Sequence, residues 1–269
     1  MTTLRKIINF LFNKINFYNN FSIKNIFFNK IYNKVIKVNH NGHDFNFHTP
    51  NWITLWRAKT FSTKEPETLE WIDKFDNNCI FWDIGANIGT YSIYATKVKN
   101  ATTFSFEPSV FNLEFLAKNI NANNLENKIN IFPIALSDSN NINKFNMSNI
   151  EWGSALSTFS KSYDANGKDL IIKFSYNTIG IRADDAVKFF NIPYPKYIKI
   201  DVDGIEHLIL SGMPMILESA EQVLIELSNV FNDQIEIATK ILIDKGFILS
   251  NKYIENDINI STNQIWKKS

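Results

Sequence analysis

Apolar and polar positions alternate over residues 35–48, with Val35, Ile36 and Val38 on one side of Asn41-Gly42 and Phe45 and Phe47 on the other. An Asn-Gly pair between alternating runs predicts a hairpin, because its turn needs backbone that glycine and asparagine adopt readily. Residues 1–38 interleave Phe and Ile with Arg5, Lys6, Lys14, Lys24, Lys30, Lys34 and Lys37, and no acid precedes Asp44. This predicts a basic helical arm, either packed on the main domain with Lys in water or lying on anionic lipid or a partner. Residues 65–76 read as a helix, with Pro66 in its first turn and Leu69, Ile72 and Phe75 on one face.

From Cys79 short apolar runs alternate with helical stretches. Strands are expected at Ile80–Ile84, Thr102–Phe106, Ile129–Leu136, Tyr197–Val202 and Gln222–Leu227. Helices are expected over about 89–98, 110–121 with Ser109 as its cap, from Ile205, and over about 233–245 closed by Gly246. Phe247–Ser250 and Asn263–Trp266 are expected as two last strands around a polar turn. Continuous apolar strands between helices indicate a parallel sheet covered on both faces. Between residues 137 and 196 the alternation breaks into stretches at Ile142–Met147 and Leu170–Ile181, with a loop holding Trp152, Gly153 and Ser154. That segment reads as an inserted hairpin region over the ligand edge of the sheet. The division expected is residues 1–50 as arm and hairpin and 51–269 as the main domain.

Composition narrows the classes. The chain has 269 residues and a formal charge of +1, which points to no nucleic-acid partner. Its single cysteine, Cys79, excludes an internal disulfide and a thiolate metal cluster. No run approaches the roughly 20 apolar residues of a spanning helix, so a cytoplasmic protein is expected, with peripheral contact at the inner face of the membrane through residues 1–38 as an open reading. His40, His43 and His48 read as exposed or packing side chains.

The strand ending in Asp83-Ile84-Gly85-Ala86-Asn87-Ile88-Gly89 and running into a helix carries the candidate cofactor site. Gly85 permits a tight turn and close backbone approach, and Gly89 permits close packing as the helix begins. The helix N-terminus suits a carboxylate, and Asp83 suits an ammonium group. A ligand with both charges is an amino acid, and methionine is the amino-acid part of S-adenosylmethionine. Glu107 ends the second strand, about 20 residues on, where an acid accepts hydrogen bonds from ribose hydroxyls. The bland alternative is that Asp83 caps a helix and Glu107 is an ordinary acid. An NAD fingerprint needs glycine at position 87, which is Asn87 here.

The segments Phe81–Thr90, Phe106-Glu107-Pro108, Ala135-Leu136-Ser137-Asp138 and Ile198–Glu206 together resemble the FkbM family of methyltransferases, over about residues 63–230. The resemblance implies a class I methyltransferase (Rossmann-like) α/β fold: a mostly parallel seven-stranded sheet with helices on both faces, carrying the N-terminal helical and hairpin appendage and the inserted hairpin region. It implies S-adenosylmethionine as cofactor and O-methylation, often of sugar hydroxyls on glycans or glycosylated metabolites. Family members more often have Glu where this chain has Asp203. Gly85, Ala86, Asn87, Gly89, Ala135 and Leu136 are the further cofactor candidates, the last two beside the adenine.

The fourth strand leads into Asp201, Asp203, Glu206 and His207. An alcohol needs a nearby base before it attacks a methyl group. Asp201 or His207 can serve, or Asp201 and Asp203 can hold a divalent cation that lowers the hydroxyl's pKa. Asp203 and Glu206 also read as acids favouring a helix dipole. Glu226, in the fifth strand, is a substrate-site candidate because a partly buried acid needs a partner. Trp152 and Ser154 are acceptor candidates, Trp152 reading equally as a stacking face for a sugar or as a core filler. The rival functions are an NAD-dependent nucleotide-sugar oxidoreductase and a non-catalytic module docking to membrane or partner through residues 1–38.

Overall fold

The structure is a computed structural model describing residues 17–254 and 261–269. The start of the basic arm (1–16) and the turn expected between the last two strands (255–260) lie outside the described residues.

The centre is a seven-stranded sheet. Its strands are β3 (Ile80–Ile84), β4 (Thr102–Phe106), β5 (Ile129–Phe132), β10 (Tyr197–Ile200), β11 (Gln222–Ser228), β12 (Phe247–Ile254) and β13 (Ser261–Lys268). Their spatial order is β12-β13-β11-β10-β3-β4-β5. All neighbours are parallel except at β13, which runs antiparallel to β11 and β12. The chain order reverses between β3 and β10, so a crevice opens beyond their carboxyl ends, where open α/β sheets bind ligands. Successive side chains alternate between faces. Trp82, Phe106, Ile198, Ile200 and Val223 enter one buried cluster, and Phe81, Tyr197 and Leu224 enter the other.

Helices cover both faces. These are α3 (Pro66–Ile72), α4 (Thr90–Lys99), α5 (Val110–Ala122), α7 (Glu206–Ser211) and α9 (Asn232–Asp244), and the Ser109 hydroxyl caps α5 by accepting from the Asn112 amide. Three short helices, of six to eight residues, are additional to those expected from sequence: α2 (Trp52–Lys59), α6 (Ala183–Phe190) and α8 (Pro214–Ser219).

The expected third strand is two strands. Pro133 interrupts it after β5, and the chain re-forms as β6 (Ala135–Ser137) in a separate sheet. That four-stranded sheet, in order β6-β9-β7-β8, adds β7 (Asn141–Met147), β8 (Ser157–Phe159) and β9 (Phe174–Arg182). Phe145 and Phe159 from it reach the crevice, so the inserted hairpin region roofs the ligand edge.

The N-terminal hairpin, β1 (Val35–His40) and β2 (His43–His48), turns at Asn41 and Gly42, both with positive φ. It shares the core of the main domain. Phe45 and Phe47 are fully buried against Phe61, and Asn119 of α5 and Asn123 just after it hydrogen-bond its backbone at His48 and Asn46. Helix α1 (Phe17–Tyr32) precedes it; Tyr32 packs against Phe115 and Trp152, while Ile26, Phe27, Phe28 and Ile31 are exposed. Among the described residues, no helix is long and apolar enough to cross a membrane.

Candidate active site

A cavity of about 220 Å³ lies beyond the ends of β3, β4, β10 and β11, beneath the small sheet. The turn after β3 forms its floor. Gly85 has φ +83°, and a Cβ there would stand 1.9 Å from the Asp201 carbonyl oxygen. Only glycine lets the two strand ends approach so closely. Gly89 starts α4 at φ +86°, where a Cβ would meet Leu116 at 2.5 Å. Asn87, between them, is also left-handed, and its buried Oδ1 has no hydrogen-bond partner.

Glu107 marks one end of the cavity. One of its carboxylate oxygens accepts from the Asn87 amide at 2.7 Å and the other from the Ser109 amide at 2.8 Å. These bonds fix the carboxylate and leave lone pairs toward the cavity. Burial nevertheless pushes its pKa up to about 7. Ile134, Ala135, Leu136, Phe106 and Pro108 form an apolar slot beside it.

The other end is charged. Lys199, fully buried in β10, pairs with Asp201 at 2.6 Å. Burial works against both charges, but Asp201, Glu65 and Asp83 hold the Lys199 pKa above its ordinary value. Lys199, with Glu226 and Lys64 contributing, holds Asp201 well below the usual carboxylate range. Asp203 sits at φ +62° and accepts from the Leu156 amide at 2.7 Å. Burial, with Asp201 as a like-charged neighbour, raises its pKa to about 6.

The loop 152–154 ties these parts together. The Gly153 carbonyl accepts from Arg57 Nε at 2.6 Å, and the Ser154 carbonyl accepts from Asn87 Nδ2 at 2.9 Å and Asn112 Nδ2 at 3.1 Å. The Gly153 amide donates to Asn112 Oδ1 at 3.0 Å.

Of the residues singled out from sequence, Gly85, Asn87, Glu107, Ala135, Leu136, Ser154, Asp201, Asp203 and Glu226 line this one cavity. Ala86 and Gly89 shape the turn from behind. Four candidates sit elsewhere. Asp83 lies buried beneath α4, accepting from the Ser92 hydroxyl at 2.5 Å and from the Ser92 amide, so it holds the first turn of α4, faces the Lys199 ammonium and does not line the cavity. Trp152 packs on Phe115 and Tyr32 as a filler. Glu206 folds back on its own loop, accepting from the Val202 and Gly204 amides and from Gln234. His207 is buried edge-on to Phe231, and burial lowers its pKa. Among the described residues no group of three or more His, Cys, Asp or Glu is placed to hold a metal. Asp201 and Asp203 are instead engaged by Lys199 and by backbone amides.

Sequence reasoning passed over Lys199, Arg57, Lys64 and Asn112. A lysine inside the apolar run Tyr197–Ile200 was the available signal, since a cation there demands a buried acid. Arg57 and Lys64 come from a segment with no motif.

The donor set fits an adenosine that carries an amino-acid tail: a fixed carboxylate for a diol, an apolar slot, and a turn that a side chain would fill. With the strand order, this defines an S-adenosylmethionine-dependent methyltransferase of class I. Residues 83–249 match the methyltransferase FkbM domain, and the chain belongs to that family. The hexuronic acid methyltransferase AglP of Haloferax volcanii is 27% identical over 175 residues, covering 64% of this chain and 66% of that protein. The match thus spans just under two thirds of the relative's length. Among solved structures, P. horikoshii TYW2 in complex with MeSAdo is similar with a TM-score of 0.49 and 12% identity, over 88% of this chain and 73% of that one. The precorrin-6y C5,15-methyltransferase of Geobacter metallireducens GS-15 is similar with a TM-score of 0.46 and 14% identity, over 76% and 87%.

Proposed function

We propose that the protein methylates a hydroxyl of a sugar or glycan. The observation that carries this reading is the cluster of Asp201, Asp203 and Glu226 in the cavity that Glu107 closes at its other end. An acceptor rich in hydroxyls offers donors to a lining of this polarity, and an apolar acceptor offers none. The AglP relative, named for hexuronic acid, supports a sugar acceptor.

The cofactor, when bound, supplies an electrophilic methyl group with its own leaving group, so this chain mainly orients and deprotonates. Asp203 is the proton acceptor in this reading. Its pKa of about 6 is matched to neutral pH, and the Leu156 and Ser157 amides fix one oxygen and leave the other for the substrate. Asp201 is held ionised by Lys199 and hydrogen-bonds with Glu226. As a poor base it orients acceptor hydroxyls. The methyl acceptor sits between these groups, shielded from water by Phe145 and Phe159 of the roof.

The cationic, apolar N-terminal side supports work at an anionic membrane surface. Residues 1–43 carry Arg5, Lys6, Lys14, Lys24, Lys30, Lys34 and Lys37 and no acid. Helix α1 exposes Ile26 and Phe27, and α2 exposes Trp52 and Trp56 one turn apart.

The test is transfer of labelled methyl from S-adenosylmethionine to a panel of neutral and acidic sugars and glycosides. Asp203→Asn is expected to lower kcat by about 10²–10⁴-fold while S-adenosylhomocysteine binding stays near wild type. Turnover on nucleic acid or protein with none on sugars overturns the reading.

A further inference from the structure

We propose that Arg57 is the carboxylate clamp for the cofactor's amino-acid tail, an assignment that rests on the methyl-donor reading above. A zwitterionic tail needs a cationic partner for its carboxylate. The start of α4 offers backbone amides but no cation, and Asp83 already takes the Ser92 amide and hydroxyl there. The cavity has two other cations at its rim. Lys64 is ion-paired with Glu65. Arg57 accepts no such partner: its Nε is held by the Gly153 carbonyl, and among the described residues no carboxylate forms an ion pair with it.

Geometry places this guanidinium at the glycine turn. Arg57 and Asn87 donate to consecutive carbonyls, those of Gly153 and Ser154, and consecutive residues stand about 3.8 Å apart along the chain. Arg57 also lines a small adjoining recess with Lys64, Thr90 and Tyr91 at the start of α4. The group is therefore anchored through one nitrogen, with its two terminal nitrogens left for a bidentate contact beside Gly85. Gly153 has φ +78°, and a Cβ there would stand 3.0 Å from Thr54, so the anchoring loop lies close against the helix that carries Arg57.

The experiment compares three ligands on the full chain by calorimetry: S-adenosylhomocysteine, its decarboxylated analogue that keeps the ammonium, and 5′-methylthioadenosine, which lacks the tail. Wild type is expected to bind the decarboxylated analogue roughly 10- to 100-fold more weakly than S-adenosylhomocysteine, the scale of one charge-assisted pair. Arg57→Gln is expected to erase that difference and to leave 5′-methylthioadenosine binding within about two-fold, with Arg57→Lys between the two. Equal affinity of wild type for S-adenosylhomocysteine and the decarboxylated analogue overturns the assignment without any variant. So does a loss in Arg57→Gln that is the same for all three ligands, which would make Arg57 a loop anchor, or no loss for any, which would turn it toward the acceptor. If wild type binds none of the three, the methyl-donor reading falls as well.

Discussion

Lys199 and Asp201 stand on the same face of the β10 edge and join at 2.6 Å, with the lysine side chain 1% exposed. A lysine so deep in a sheet persists only because acids surround it. Asp83 is its register partner on β3, and Glu65 adds a third negative charge. Lys199→Met removes the buried cation that Asp201, Glu65 and Asp83 share, leaving Lys64 beside Glu65. It is expected to destabilise the fold by about 3–5 kcal/mol in urea denaturation, the cost of leaving buried acids unpaired. The double change Lys199→Met with Asp201→Asn should recover a large part of that loss. If the two losses simply add, the pair is not coupled as the geometry requires.

The pH dependence of turnover separates Asp203 from Asp201. The proton acceptor must be ionised, so kcat/KM should rise with pH through about 6, the Asp203 value, and then level off. Asp201, held well below the usual carboxylate range, would put that limb far lower. A profile flat down to pH 4.5, or one whose limb near 6 survives in Asp203→Asn, counts against Asp203 as base.

Glu107 gives a binding test with a definite sign. Its pKa, about 7, is raised by burial, so the ligand-free protein carries part of this site protonated at neutral pH. A raised carboxyl pKa means the folded state holds protons the unfolded chain has released. Its contribution therefore falls as pH climbs from the ordinary Glu value toward 7. Accepting both hydroxyls of a ribose favours the ionised form. S-adenosylhomocysteine binding should thus tighten as pH rises through 7 and release a proton near that pH. Calorimetry in two buffers of different ionisation enthalpy reads this directly, and no buffer dependence at pH 6.5 would contradict it.

The sheet was legible because continuous apolar runs such as Ile80–Ile84 and Tyr197–Ile200 have no other easy reading, and the hairpin because Asn41-Gly42 permits few turns. Gly85 and Glu107 were legible because a strand end fixes where they point. The side chains after the strands were not. Asp83 and Lys199 alternate onto the α4 face, which buries them, and no spacing distinguishes a substrate-binding Glu206 from one that closes its own loop. Arg57 was invisible for a further reason. It reaches the site through a carbonyl of a loop 96 residues away in sequence, and contacts to backbone leave no mark on the residue contacted. Pro133 could have signalled the break that sends Ala135 and Leu136 into a second sheet, since proline is poorly tolerated within a central strand.

Membrane docking is testable through exposure alone. Trp52 is 73% exposed and Phe27 59% exposed, so replacing them removes interfacial anchors without opening the core, and exposed substitutions of this kind change stability by only about 0.5 kcal/mol. The surrounding cations add a salt-sensitive attraction of about 1 kcal/mol each near an anionic surface. The full chain is therefore expected to co-sediment with phosphatidylglycerol-containing vesicles at low salt, to release at high salt, and to ignore pure phosphatidylcholine. Phe27→Ser with Trp52→Ser should weaken that binding while sugar methylation in solution is retained. Both requirements matter, because attraction by lysines alone would survive the double change, and a damaged fold would lose activity as well. Equal binding by wild type and variant would reduce the N-terminal side to a cationic surface with no apolar insertion, and no vesicle binding at all would leave the exposed aromatic side chains without a lipid role.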